Sequence, residues 1–524
     1  MKLFDETGAF VSPVEGGRLR QFAVRGAGVT VVSQGLAFAV QIISTMILAR
    51  LLTPSDFGVV TMVTTFSILL MSCGQVGFPD AVRQWDDLNH FLASNLFWIN
   101  VGIGFLLMVA FAGMAPLLAR LYGKPEIAHI VIGVSTGIFF NNVAVLPIAL
   151  LTRAMRFTAS CAIDCIARVA SVALSVVLAY RGWGYWALVA GTVACPLGQI
   201  VGAFTVCGWV PSLPRRVPKT GSMVVYAAQV FGRFSIYYST RNADNLLVGW
   251  QLGPTILGYY KKAYDLFILP FNLLQIYAVS VSTLSRLKSN RTEYLRYLLN
   301  GLAVLALVAM GVCGDLTIAG KDLVRLVLGP QWDRAGEIFT IFAPGIGVMM
   351  LYLTHGIIHL SLGTPSRYLR WTALECVTTI LLFVIGLRWG PEGVAVAWNA
   401  SFCLLFIPAF RYAGKPIQLE IKQLLGKIWQ PVLASASAGV SAAMILRNLP
   451  AATGTTSALT RAITASLLFF SLYAGAIILL YGGCDPLYRL ARLLREMIPF
   501  EGLSKTQLNV TERPAEAVQS PTTM

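Results

Sequence analysis

Residues 51–60 read LLTPSDFGVV and residues 251–260 read QLGPTILGYY, so that Leu52, Pro54, Ser55 and Gly58 recur as Leu252, Pro254, Thr255 and Gly258, a spacing of about two hundred positions that signals internal duplication. Each copy lies between two long apolar runs, where Pro and Gly mark a turn between helices. The match continues: Arg156, Phe157, Ala162, Ile163, Asp164 and Cys165 correspond to Arg367, Tyr368, Ala373, Leu374, Glu375 and Cys376, and Gly182 and Ala187 to Gly390 and Ala395. The register grows between the first and second sets of matches, which the extra connector Lys321 to Glu337 accounts for. That connector reads as a short amphipathic helix on the outer membrane surface.

Composition sets the medium in which these blocks fold. Of 524 residues, 56% are hydrophobic and 12% charged, against about 25% charged in soluble domains. Apolar runs long enough for a transmembrane helix recur along almost the whole chain. The reading is an all-α integral membrane protein of 14 transmembrane helices, arranged as two pseudo-symmetric six-helix lobes plus two C-terminal helices. Its segments are a cytoplasmic N-terminal piece (1–26), a first lobe (27–208), a basic linker (209–222), a second lobe (223–412), helices thirteen and fourteen (413–482) and a polar, disordered cytoplasmic tail (483–524). An uncleaved first span is expected, since no small-residue cleavage site separates the polar residues 1–25 from the first apolar run.

A parallel repeat of six spans places the pseudo-symmetry axis along the membrane normal, as in transporters that rock two halves about a midplane site. The net charge of +16 reads as a topology signal: about 25 Lys and Arg fall on the inner side and about 10 on the outer when both termini are cytoplasmic. Five more (Arg168, Arg233, Arg241, Lys261, Lys262) lie within spans. The basic inner face suits anionic membrane lipids and offers a docking surface to other membrane proteins. Nucleic acid is not an expected partner. Trp98, Trp183, Trp186, Trp209, Trp250, Trp371, Trp389 and Trp429 fall near span ends, where indole rings favour the interface.

Ionisable groups inside the membrane are costly and mark function or pairing. The positions in the first span that match Arg233, Arg241 and Asp244 are Ser33, Gln41 and Ser44, so only the second block carries this charge. Four cations, Arg233, Arg241, Lys261 and Lys262, stand against Asp244 and Asp265, which predicts a positive cavity suited to a diphosphate or acidic sugar. Arg233 is the leading ligand candidate. The competing structural reading has Asp244 paired with a lysine of the neighbouring span. Asp164 and Arg168, four apart, are expected to pair along one helix. Glu375 has Thr379 at the corresponding place, which leaves it either a proton-exchanging carboxyl or a hydrogen-bonded one.

No phosphate-binding loop, nucleotide fingerprint or serine elbow occurs, and no catalytic residue is expected. His355 and His359 share a helical face but lack the glutamate of a zinc-protease motif, and the nine cysteines contain no CxxC pair; neither a metal nor a cofactor is expected.

Four stretches carry a family resemblance: Ile47 to Val59 (ILARLLTPSDFGV), Leu151 to Phe157 (LTRAMRF), Asn242 to Tyr264 (NADNLLVGWQLGPTILGYYKKAY) and Gly329 to Trp332 (GPQW). In these the chain resembles the Wzx-type polysaccharide flippases of the multidrug/oligosaccharidyl-lipid/polysaccharide exporter superfamily, especially the colanic-acid and exopolysaccharide branch. The resemblance implies translocation of an undecaprenyl-diphosphate-linked oligosaccharide across a bacterial inner membrane, with a cationic central cavity and a groove for the lipid tail at helices thirteen and fourteen. The near-neutral first span departs from peptidoglycan-precursor flippases, which favours a surface polysaccharide. Competing readings are a multidrug or cation antiporter of the same superfamily, which would want an acidic cavity, an uncoupled scramblase, and a polysaccharide polymerase or glycosyltransferase, which generally needs a long external loop.

Overall fold

The computed structural model describes residues 4–5, 10, 19–75, 77–84, 88–215, 220–273, 277–447 and 454–497. Apart from one isolated bridge between Phe4 and Phe10, the regular structure described is helical, as hydrocarbon demands of chains that must satisfy their own backbone. In chain order the helices are α1 (Leu19–Leu51), α2 (Pro54–Gln75), α3 (Phe78–Gln84), α4 (His90–Gly113), α5 (Ala115–Tyr122), α6 (Glu126–Arg153), α7 (Phe157–Tyr180), α8 (Tyr185–Cys207), α9 (Thr220–Leu273), α10 (Tyr277–Leu287), α11 (Arg291–Leu328), α12 (Asp333–Tyr352), α13 (His355–Ser361), α14 (Pro365–Gly386), α15 (Gly390–Gly414), α16 (Ile421–Leu446), α17 (Thr455–Tyr481) and α18 (Asp485–Met497). Among the described residues, eleven helical stretches are long and apolar enough to cross a membrane, one of which, Pro365–Ile417, holds both α14 and α15.

Helices α4, α6, α7 and α8 pack on one another, with α1 against α7 and α2 against α6; α12, α14 and α15 gather round α9; and α16 and α17 lean on α11. The seam joining the first set to the second is α2 against α9. It runs antiparallel from Gly58 beside Pro254, past Met62 beside Gly249, to Gly77 beside Ala227. Helix α1, the positional counterpart of the first arm of α9, touches α7 and α11 instead.

The α9 helix carries the turn of the repeat inside it. Gly253 stands at φ 82°, ψ 176°, a left-handed conformation that a side chain disfavours, and Pro254 opens the second arm where its missing N–H is harmless. The described part of the linker before α9, residues 209–215, is not helical and is strapped to α4: Trp98 Nε1 donates to Ser212 O (2.9 Å) and the Arg215 N–H to Asn95 Oδ1 (2.9 Å).

Three local expectations are corrected. The connector at Lys321 to Glu337 is no separate surface helix: α11 continues to Leu328, Gly329 reverses the chain at φ 103°, and Pro330–Trp332 forms a single tight turn before α12. Trp332 is fully buried there, donating from Nε1 to Ala49 O at 2.7 Å and packing edge-on to Phe57 and Tyr259. Trp209 and Trp371 are buried at 4% exposure because their indoles bond His90 Nδ1 and Tyr352 Oη, whereas Trp183, Trp250 and Trp389 are exposed as an interface ring should be. Finally, the tail is helical over α18, where Leu487 and Leu490 pack with the α16–α17 cluster; residues 498–524 lie outside the described residues.

Candidate functional site

The kink in α9 brings its two arms side by side, and a buried carboxylate ties them. Asp244, on the first arm, is 0% exposed. Its Oδ2 accepts from Tyr260 Oη on the second arm (2.7 Å) and from Trp398 Nε1 on α15 (3.0 Å), and its Oδ1 from the Asn245 N–H (2.8 Å). A buried carboxylate needs such donors to offset lost hydration. The expected Asp244–lysine pair is therefore not what forms.

The lysines turn to Asp265 instead. Lys261 Nζ donates to Asp265 Oδ1 at 2.7 Å, one helical turn away, and Lys262 Nζ lies 4.0 Å from Oδ2. Lys262 is buried and sits 4.2 Å over the Phe57 ring of α2, so this cation spans the seam between the two helix sets through a cation–π contact.

Arg241 is held on three sides. Its Nη2 lies 3.5 Å from Glu375 Oε1, with both side chains 11% exposed. Its guanidinium packs 5.4 Å from the Trp398 ring and 5.7 Å from the Phe402 ring, a planar fit that suits arginine and not lysine. Glu375 thus has a cation partner after all, on α9 rather than one turn along its own helix. Glu375 narrows the expected excess of positive charge: among the described side chains, Arg241, Lys261 and Lys262 stand against Asp244, Asp265 and Glu375. The Arg233 side chain lies outside the described residues. Asp164 and Arg168 form the expected intrahelical pair at 2.9 Å, and Gln199 Nε2 donates to the other Asp164 oxygen at 2.8 Å; they belong to α7 and α8, apart from the α9 group.

Several participants carried no sequence signal strong enough to single them out. Tyr260 and Tyr352 look like ordinary span residues. Trp398 sits well inside α15 instead of at its end, and that displacement was the available clue. Asp315 on α11 escaped notice as an intramembrane carboxylate; its neighbour is Ser466 of α17, and Arg461 of α17 pairs with Asp322 at 3.3 Å.

A helical protein with many membrane-length apolar helices, in which the broken helix α9 carries most of the buried charge and meets a carboxylate of α14, has the features of a membrane transporter. Residues 47–337, more than half of the chain, match the family described as polysaccharide biosynthesis protein, and the chain belongs to that family. It is 21% identical over 378 residues to the succinoglycan biosynthesis transport protein ExoT of Rhizobium meliloti, covering 71% of this chain and 76% of that one. To the lipopolysaccharide biosynthesis protein WzxC of Escherichia coli it is 22% identical over 329 residues, 60% of this chain and 65% of the relative. Among solved structures, the lipid II flippase MurJ in an inward closed conformation shares the fold with a TM-score of 0.67 at 15% identity, covering 87% of this chain and all of that one. An inward-facing multidrug transporter of the MOP superfamily follows at 0.57, 13% identity and 73% coverage of this chain.

Proposed function

We propose that this protein is a flippase that moves undecaprenyl-diphosphate-linked oligosaccharide repeat units across the bacterial inner membrane for exopolysaccharide or lipopolysaccharide synthesis. It crosses the membrane fourteen times, with α1, α2, α4–α5, α6, α7 and α8 as one lobe, the two arms of α9 with α11, α12–α13, α14 and α15 as the other, and α16 and α17 outside the repeat. Both termini are cytoplasmic. The lobes rock about the α2–α9 seam, and the protein makes and breaks no covalent bond. Two points support the reading: membership of a polysaccharide biosynthesis family, and similarity to a relative named as a succinoglycan biosynthesis transport protein.

The observation that carries the chemistry is Arg241, a guanidinium kept inside an apolar assembly by a carboxylate on another helix. A diphosphate can engage a guanidinium bidentately and brings more charge than a carboxylate, so it can exchange for Glu375 at Arg241, with Lys261, Lys262 and Arg233 as further phosphate ligands. The carboxylates act as placeholders that keep the cations neutralised while no substrate is bound, and they avoid the expense of bare charge in hydrocarbon. The test is gene deletion with mass spectrometry of lipid-linked intermediates, complemented by wild type and by Arg241→Ala or Arg233→Ala. Accumulated undecaprenyl-diphosphate oligosaccharide, cleared by wild type and not by Arg241→Ala, is the expected result. Unchanged intermediates in the deletion strain would overturn the reading.

A further inference from the structure

The last two helices of the chain meet at a tight turn. Helix α17 ends at Tyr481, and Gly482 turns the chain at φ 68°, a left-handed position that glycine takes without strain. The N–H groups of Gly482 and Gly483 both reach Ile478 O, so the turn is closed onto the end of α17. Cys484 O then accepts from the Tyr488 N–H at 3.0 Å, in the first turn of α18. The end of α17 is itself held. Gln430 Nε2 of α16 donates to Leu480 O (3.1 Å), and Tyr473 Oη of α17 donates to Leu307 O of α11 (2.8 Å).

This geometry fixes the depth at which α18 begins. Thr456–Tyr481 is an apolar stretch of 26 residues, about 39 Å of helix against a hydrocarbon layer about 30 Å thick. Only Gly482 to Cys484, three residues, separate it from α18, and a connector of that length reaches at most about 10 Å. Helix α18 is thereby tethered at the headgroup layer.

Its sequence has two sides. Within Asp485–Met497 (DPLYRLARLLREM), leucines stand at 487, 490 and 494 and arginines at 489, 492 and 495. Each set has the three- and four-residue spacing of one helical face, and at 3.6 residues per turn the two faces lie roughly opposite. The described side chains follow the division: Leu487 and Leu490 pack with the α16–α17 cluster, whereas Tyr488, Arg489 and Arg492 are exposed. The acidic residues Asp485 and Glu496 stand in the first and last turns, so the middle of the helix carries cations alone.

We propose that α18 is an interfacial helix that lies along the bilayer surface and binds the phosphates of anionic phospholipids through the arginine series at 489, 492 and 495. Its leucine side continues the end of α17 into the acyl-chain boundary, as a two-sided helix does at an interface. The arginines, on long flexible stems, reach the phosphate layer, where a guanidinium pairs with phosphate bidentately. The short tether argues for a lipid as the occupant, because it holds these cations at the depth of lipid phosphates. With the C-terminus cytoplasmic, as proposed above, the lipid belongs to the inner leaflet. An anchored α18 fixes the end of α17, and through the bonds to Leu480 O and Leu307 O it fixes α16 and α11 as well. The inference does not depend on which cargo the protein moves.

The test uses the full-length protein in nanodiscs of phosphatidylcholine and phosphatidylglycerol. A fluorophore is placed at Tyr488→Cys, a position 74% exposed, with the nine native cysteines replaced. Quenching is compared when one lipid or the other carries bromines on its acyl chains near the headgroup. Both lipids should quench, with phosphatidylglycerol enriched around the label by about fivefold over its mole fraction, the weight of one arginine at an anionic surface. The enrichment should shrink in high salt and fall to parity in Arg489→Gln/Arg492→Gln/Arg495→Gln. The corresponding triple lysine variant should restore it, which separates loss of charge from loss of the helix. Parity before any arginine is changed, or enrichment that survives the triple glutamine change, would overturn the lipid assignment. Parity with lysine as well as glutamine would also overturn it and assign the arginines to the fold of α18. Quenching by neither lipid would place α18 in the aqueous phase, available to a soluble partner, and would overturn the interfacial placement.

Discussion

Gly58 and Gly258, which occupy the same place in the two halves of the duplication, each rest against the proline that opens the other half's turn. A Cβ on Gly58 would overlap the Pro254 carbonyl, and a Cβ on Gly258 would overlap that of Pro54. Reciprocal contact of this kind is what a two-fold relation generates, and missing side chains let helix backbones approach where no hydrophobic drive exists between them. Only one of the two seams that the relation would permit is closed along its length, α2 on the first arm of α9. The turn ends therefore form a symmetric contact within an asymmetric whole.

Alanine at either glycine should push these turns apart. We expect Gly58→Ala to lengthen the distance between spin labels at Thr53 and Thr255, both exposed positions, by several ångströms in a background lacking the native cysteines. Gly258→Ala should reproduce it. An unchanged distance distribution in both would mean that the contact is not what sets this end of the molecule.

Trp332 latches the same end, since its indole N–H reaches Ala49 O across the seam while Arg50 Nη2 reaches back to Leu326 O at 2.9 Å. Trp332→Phe keeps most of the ring packing against Phe57 and Tyr259 but removes one of the two donors to Ala49 O, the Gln331 side-chain amide being the other. That should cost about 0.5–1.5 kcal/mol, read as a lower midpoint in thermal unfolding in detergent. Trp332→Ala, which also leaves a cavity, should cost about 3–5 kcal/mol.

The Asp244 strut makes a separate demand. Tyr260→Phe removes the shortest of its donors and leaves a buried carboxylate under-solvated, at a cost of about 1–3 kcal/mol. Asp244→Asn in the same background should restore part of the lost stability, because the neutral amide needs the missing donor less. Chemical or thermal denaturation of the two variants checks the sign, and a further loss in the double variant would contradict the strut.

What could be read in advance follows from what each signal depends on. Hydropathy and the Pro54/Pro254 register depend on local spacing, so the long helices and the broken α9 were legible. The family followed from stretches such as Asn242 to Tyr264. Partners across helices were not, because helix rotation decides them: Glu375 appeared to lack a cation when judged four residues along its own helix, yet Arg241 meets it from α9. Lys261 and Lys262 were grouped correctly with Asp265 nearby, but Asp244 was assigned to them when Tyr260 and Trp398, neutral in any charge tally, were its donors. The connector through Trp332 failed for a related reason. Its amphipathic pattern suits a membrane surface equally well as a turn whose apolar side is covered by α1 and α2.

The arginine at 241 is the position where geometry and proposed function can be separated most cleanly. Its guanidinium is used as a plane, lying against Trp398 and Phe402, and as a charge, facing Glu375. Arg241→Lys keeps the charge and loses the plane. If the group only neutralises Glu375, lysine should serve, and lipid-linked intermediates should clear at the wild-type rate. If it grips a diphosphate in a bidentate fashion, lysine should leave clearance reduced about tenfold or more, since such sites do not tolerate the exchange. Glu375→Gln supplies the complementary arm: it frees Arg241 of its internal partner without altering the plane. A flippase whose carboxylate is a placeholder should then bind its anion more tightly yet release it more slowly, so that Glu375→Gln lowers turnover while raising retention of the lipid-linked substrate on the purified protein. Tight retention with Glu375→Gln together with poor clearance by Arg241→Lys is the combined outcome expected. Wild-type clearance by Arg241→Lys would assign Arg241 to structure alone.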